Sequence, residues 1–482
     1  MSAGRRMSQE RFRLSSSARV ARSQAPPGPS CGLVWLMASE LLASVVGFAV
    51  MVQLARRLGP PAFARVEYAA AVAAWLLVVV RGGVDVIATR EAARRPRLVG
   101  PLTGALLGLR GALAVAGYLL VLAVAVLVGP ERGPVVAVAG LMLFPSVFVA
   151  DVGLRASGRF KTLALGQAVR TLGHAAVALG LVQGPADVLR AAWCLVLAEG
   201  LGALVPLAAH ASEHGFPRPR FRRRAWLVLA RRGAIAGLTR FGRVSLYGAD
   251  LLALGWWAGT ELGSYAAARR LVFGLVALGL VVPSAVAPAI ARAWAAGAPN
   301  ARRLIAEALA ALWGLSLPAA VGLALTADRW MPLLFGPSYR AGGPWLALVA
   351  ARLPWLLTAS FDQAALIACR RETWVLDQML GLMLLAVVAI PFAAAWGGPW
   401  GAGSAALGIE VLGAIGGWRL LRRLGVAPPW HHHAAGAVAG GLAVALVCLA
   451  GGRWPLGLVV FAGAAAYAAT WRALRGARVS LA

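Results

Sequence analysis

From Leu33 onward the chain reads as about fourteen apolar segments, each roughly 17–25 residues long and joined by short polar stretches. A helix of that length crosses a hydrocarbon layer ~30 Å thick while satisfying its own backbone N–H and C=O groups. The expected spans are 33–55, 66–84, 103–128, 135–154, 163–182, 191–210, 236–257, 265–290, 304–327, 344–368, 374–396, 400–418, 434–450 and 455–471. The predicted fold class is therefore an all-α polytopic integral membrane protein. Composition agrees, with 60% hydrophobic and only 13% charged residues over 482 positions, which fits neither a soluble globular nor a disordered chain. Glycine at 57 positions suits helices that pack closely through small residues, as lipid-embedded helices do.

The formal charge of +29 raises the question of nucleic acid. The basic residues are dispersed through short loops, however, and no soluble domain is long enough to present a binding face, so no nucleic-acid partner is expected. They act first as topology signals. With the spans above, roughly four times as many fall on one set of alternate loops as on the other, which predicts both termini on the cytoplasmic side. Residues 1–32 read as a disordered basic cytoplasmic tail. The Arg5-Arg6 pair lies too far before the first apolar run for a twin-arginine signal. The densest basic loop falls within a linker at 211–235, suited to anionic membrane lipid headgroups. That linker separates a six-helix bundle at 33–210 from a second at 236–418, and 419–482 supplies two additional helices and a short cytoplasmic tail. Cys31, Cys194, Cys369 and Cys448 form no C-x-x-C pair, so no disulfide or metal argument follows. His431, His432 and His433 are consecutive and share no helix face, which fits an interfacial loop better than a metal site. No metal and no cofactor is implied.

The stretch from Arg240 to Pro288 sets five ionisable groups into two otherwise apolar helices. These are Arg240, Arg243, Asp250, Arg269 and Arg270. An ionised side chain at membrane depth costs at least ~2.5–3.5 kcal/mol, so such groups usually face a bundle interior or a wet pathway. With Arg352, and with Arg110 and Arg170 from the first half, they are the candidate cations of a polar lumen. Asp250, Asp362, Glu40, Glu199 and Glu410 are the acids at comparable depth, suited to ion pairs or to a coupling H⁺ or Na⁺. His174 reads as a packed helix residue, and Asp85 and Asp151 as helix-end residues.

An internal repeat is visible. Tyr68 and Tyr265 each begin a Tyr-Ala-Ala-Ala step, and Asp151 and Asp362 each stand eight residues before an arginine. Both halves begin on the same side, so the repeat is parallel. Six strings, in order, resemble the Wzx-like lipid-linked oligosaccharide flippases and polysaccharide exporters of the MATE-like (MOP) superfamily. They are RRLGPPAFARVEYA at 56–69, GGVDVIATREAARR at 82–95, ASGRFKTLALGQ at 156–167, ADLLALGWWAGTELGSYAAARRL at 249–271, VVPSAVAPAIAR at 281–292 and LFGPSYRAGGPWLAL at 334–348. Ala64 departs from the glycine that this family commonly has before an aromatic residue, which leaves the subfamily open.

The resemblance implies a V-shaped pair of six-helix bundles around a cavity that opens alternately to either side of a bacterial inner membrane. The cargo it implies is an undecaprenyl-diphosphate-linked oligosaccharide for O-antigen, lipopolysaccharide or exopolysaccharide biosynthesis, with polysaccharide polymerase machinery as a further partner. The chemistry agrees, because guanidinium groups bind phosphate oxygens in a bidentate fork. The alternatives are an ion-coupled drug or cation antiporter of the same superfamily and a membrane O-antigen polymerase or glycosyltransferase. Like charge disfavours the first. Short exterior loops without paired carboxylates, D-x-D or H-x-x-E-H disfavour any enzyme.

Overall fold

The computed structural model describes residues 29–257, 261–452 and 454–479. The first 28 residues of the expected tail lie outside it, and helix already runs from Pro29. Among the described residues there is helix and no strand. In chain order the helices are α1 (Pro29–Arg81), α2 (Val84–Arg94), α3 (Val99–Leu127), α4 (Gly133–Gly140), α5 (Leu143–Val147), α6 (Val152–Ala156), α7 (Phe160–Leu181), α8 (Val188–His214) and α9 (Arg223–Trp257). Then follow α10 (Glu261–Gly279), α11 (Val281–Ala296), α12 (Ala298–Leu325), α13 (Ala327–Phe335), α14 (Gly343–Ala350), α15 (Leu353–Ala368), α16 (Glu372–Arg423), α17 (Trp430–Ala450) and α18 (Leu456–Val479). Folded back at their kinks, these make the fourteen passes of an all-α polytopic membrane fold.

Two of the longest helices are each a pair of crossings. α1 turns back at Gly59, whose φ of 71° suits a residue without Cβ, and restarts through Pro60 and Pro61. α16 does the same at Gly398, immediately before Pro399. Three expected spans are instead broken. The 135–154 span is divided among α4, α5 and α6, 265–290 is interrupted at Leu280, and 344–368 is divided between α14 and α15. The breaks at 141–142, 280 and 351–352 each lie two to four residues before a proline, Pro145, Pro283 or Pro354, which has no N–H to continue the ladder and clashes with the preceding turn; the break at 148–151, between α5 and α6, has no such proline after it. The breaks at 141–142 and 351–352 occupy matching places in the two halves, as a parallel repeat requires.

The halves meet along α1 against α9 and α10, and α2 against α9. At the arginine-poor end Gly263 opens α10 against the carbonyl of Pro60, so close that a Cβ would overlap it. There Tyr339 also donates to the Ala55 carbonyl at 3.0 Å. At the opposite end Gly83 and Gly237 bring the backbones of α2 and α9 into direct contact. Arg232 adds an ion pair to Glu91 at 3.3 Å. α17 packs on α12, and α18 on α17.

Candidate functional site

Between these two contacts lies a cavity of about 430 Å³, walled by both arms of α1, by α7 and α8, and by α10. Gln167, Arg170, Thr171 and His174 of α7 line one wall. Their spacing of three, four and seven residues puts all four on one helix face. Arg270, Phe273, Gly274 and Ala277 repeat that spacing on α10 and line the facing wall. Glu199 of α8, buried at 3% exposure, accepts from Arg170 at 2.9 Å and from Arg81 at 3.0 Å. Arg270 donates from Nε to Glu67 Oε2 at 2.7 Å, which joins the second half to the first. The other oxygen of Glu67 is buried with no partner among the described residues. Arg170, Arg270 and Glu199 line this space, while Arg81 and Glu67 pair with Glu199 and Arg270; together three guanidinium groups meet two carboxylates, leaving one positive charge in excess.

A second cluster is closed. Asp250 on α9 is fully buried and receives Arg352 Nη1 at 2.6 Å, the Tyr265 hydroxyl at 2.9 Å and its neighbour Leu251 N–H at 2.8 Å. Arg269 approaches it at 3.2 Å. Arg352 also donates to Glu410 from Nη2 at 2.6 Å and from Nε at 3.0 and 3.1 Å. Two cations and two anions balance, with the geometry a buried ionic group needs to offset desolvation. The Phe273 ring stands between this cluster and the cavity, 4.3 Å from the Arg269 guanidinium and 5.8 Å from that of Arg352.

The seven arginines expected in one lumen therefore divide. Arg170 and Arg270 share the cavity. Arg269 and Arg352 sit in the closed cluster, because Asp250 and Glu410 meet them there. Arg110, 1% exposed, is held by Asp85 and by the Val149 carbonyl at 2.9 Å. Arg243 borders a separate cleft, and Arg240 is exposed on α9. Among the acids, Glu199 reaches the cavity, Glu40 is exposed, and Asp250 and Glu410 belong to the cluster. Asp362 is buried at 1% exposure, and neither of its carboxylate oxygens has a hydrogen-bond partner among the described residues. Asp151 pairs with Arg155 at 2.7 Å, a local structural role. His431–His433 fall in the first turn of α17 rather than in a loop, and their side chains lie outside the described residues. Two partners of the cavity's charged residues were not singled out from sequence, Glu67 and Arg81. Glu67 stands inside the second apolar span, and that was its available signal.

The family model described as "Polysaccharide biosynthesis protein" matches residues 31–294. The chain belongs to the polysaccharide biosynthesis protein family. That match takes in α1 to α10, including Glu67, Arg170, Glu199 and Arg270. No curated protein matches the chain. Solved structures similar to this family member include the lipid II flippase MurJ in an inward closed conformation, with a TM-score of 0.74 at 11% identity over 92% of this chain and 100% of that one. An inward-facing multidrug resistance MATE transporter of the MOP superfamily gives 0.62 at 12% identity, over 81% and 97%. The eukaryotic MATE transporter AtDTX14 gives 0.55 at 12%, over 85% and 98%. At such identities the likeness is one of fold, and the fold is that of MOP-superfamily transporters.

Proposed function

We propose that this chain is a flippase that moves an undecaprenyl-diphosphate-linked oligosaccharide from the cytoplasmic to the outer leaflet of a bacterial inner membrane, for surface polysaccharide biosynthesis. The observation that carries this reading is the Arg270–Glu67 pair at the cavity wall, set across from Arg170, Arg81 and their shared Glu199. A diphosphate brings more negative charge and more acceptor oxygens than one carboxylate, and arginine meets it through a planar fork. Glu67 and Glu199 act as resident counter-ions that hold the guanidinium groups while the cavity is empty. The incoming diphosphate displaces them, and they displace it on release. The polyprenyl chain stays in the bilayer, so no covalent step is needed.

Alternating access follows from rocking of residues 33–210 against 236–418 between the glycine contacts at either end, with both termini cytoplasmic. The neutral Arg269–Asp250–Arg352–Glu410 cluster keeps the second half rigid, so a coupling H⁺ or Na⁺ would fall to Glu67, Glu199 or Asp362. A drug or cation antiporter shares the fold, but the excess positive charge of this cavity repels cationic cargo. In cells whose own flippase gene is deleted, the wild-type chain restores surface glycan. Arg270→Gln reduces delivery about tenfold or more at equal protein abundance, the loss of one charge-assisted contact of ~1.5–3 kcal/mol. Normal delivery by Arg270→Gln removes the reading.

A further inference from the structure

At membrane depth a guanidinium group needs a counter-charge, and Arg110, Arg170, Arg269, Arg270 and Arg352 each have a carboxylate. Arg243 does not. Its partner is the neutral Gln363, whose Oε1 accepts from Nη2 at 3.2 Å. Its Nε is buried with no partner, and it forms no ion pair among the described residues. Arg243 borders a cleft of about 370 Å³ between α9, α11 and α15, a volume within the range of about 300–1,000 Å³ typical of ligand pockets. Ser284 and Ser360 bring hydroxyls to it, and Tyr247 shares a hydrogen bond of 2.9 Å with Ser360. Pro283, Ala287, Ile367 and Ala368 make the remainder apolar.

We infer that this cleft is a second anion site, distinct from the cavity between the halves, in which Arg243 and its neighbouring hydroxyls hold the phosphoryl group of a lipid. The two sites share no lining residue. The position suits a lipid of the arginine-rich leaflet. Arg243 lies roughly 21 Å along α9 from the opposite end at Trp257. The cleft's α15 wall ends at Ala368, two and three residues before Arg370 and Arg371. Ser284 and Ile367, at the rim, are exposed. The charge calls for an anion, the hydroxyls and the free Nε–H call for several acceptor oxygens on it, and the apolar walls call for a hydrocarbon chain attached. Soluble phosphate satisfies the first two requirements and leaves the third unmet. The inference stands apart from the flippase reading, since no cargo need pass through this cleft.

The test is native mass spectrometry of the full chain in detergent, with phosphatidylglycerol, diacylglycerol or inorganic phosphate as probe. Wild type is expected to retain phosphatidylglycerol and to release diacylglycerol, which has the chains without the phosphate. Arg243→Gln should weaken retention about tenfold, and Ala364→Phe, which fills the cleft and leaves Arg243 in place, should do the same at unchanged thermal stability. Arg302→Gln, on exposed α12 surface, should retain lipid like wild type. Binding of inorganic phosphate that depends on Arg243, with no such dependence for lipid, keeps the anion site and assigns its occupant to the aqueous phase. Equal phosphatidylglycerol retention by wild type, Arg243→Gln and Ala364→Phe, with no Arg243-dependent phosphate binding, overturns the site.

Discussion

Arg352 has no exposed surface and three polar partners, Asp250, Glu410 and the Tyr265 hydroxyl. Removing it leaves two carboxylates at membrane depth with only Arg269 to answer them. Arg352→Met is therefore expected to cost about 3–5 kcal/mol of stability, read as a lowered unfolding temperature in detergent. The double variant Arg352→Met with Glu410→Gln should recover part of the loss, and an additive double variant would refute the cluster as a unit. Glu67 makes the opposite kind of prediction. If it is a resident counter-ion, Glu67→Gln frees Arg270, raises affinity for a diphosphate and slows its release, so transport falls while binding tightens about tenfold. Weaker binding by Glu67→Gln would contradict that role. These pairings were only half legible in sequence. The concentration of charge between Arg240 and Arg270 was plain, but Arg270 finds its acid 203 positions away on the first half, and Arg352 finds Asp250 102 positions away. Nothing in local spacing distinguishes an arginine sealed by distant carboxylates from one left facing a cavity.

At the scale of helices, prolines follow three of the breaks in the apolar spans, and glycines mark where the halves touch. The breaks before Pro145, Pro283 and Pro354 were readable as proline positions but were hidden by hydropathy, which counts a broken crossing and a continuous one alike. The near contact of Gly263 with Pro60 was not readable, because it joins segments on opposite halves. Gly263→Val sets side-chain atoms against that carbonyl, with an overpacking cost of about 1–3 kcal/mol. The seal at the arginine-poor end should loosen. In a chain with its native cysteines replaced, a cysteine at Ser44, which lines the cavity, should then react faster with an impermeant maleimide added from that side. An unchanged rate in folded Gly263→Val protein would show that this contact does not close the end.

For the molecule as a whole, the length and number of apolar runs carried the fold, and the structure adds the glycine–proline turns that fold α1 and α16 back. Fourteen crossings in two matching halves with two helices appended follow from the demand that backbone polar groups be satisfied within the bilayer. What the pattern could not convey is how the halves share charge. The cavity owes its excess positive charge to Arg81, Arg170 and Arg270 meeting Glu67 and Glu199 from four different crossings. On the flippase proposal, that excess selects an anionic lipid over a cation. The most direct measurement is uptake and flipping in vesicles reconstituted with the purified chain, using a fluorescent polyprenyl-diphosphate oligosaccharide and, in parallel, a cationic dye. The account predicts that the lipid-linked sugar crosses, that Arg270→Gln slows it about tenfold or more, and that the dye is not moved. Transport of the dye, or lipid-linked sugar crossing equally fast without Arg270, would contradict it.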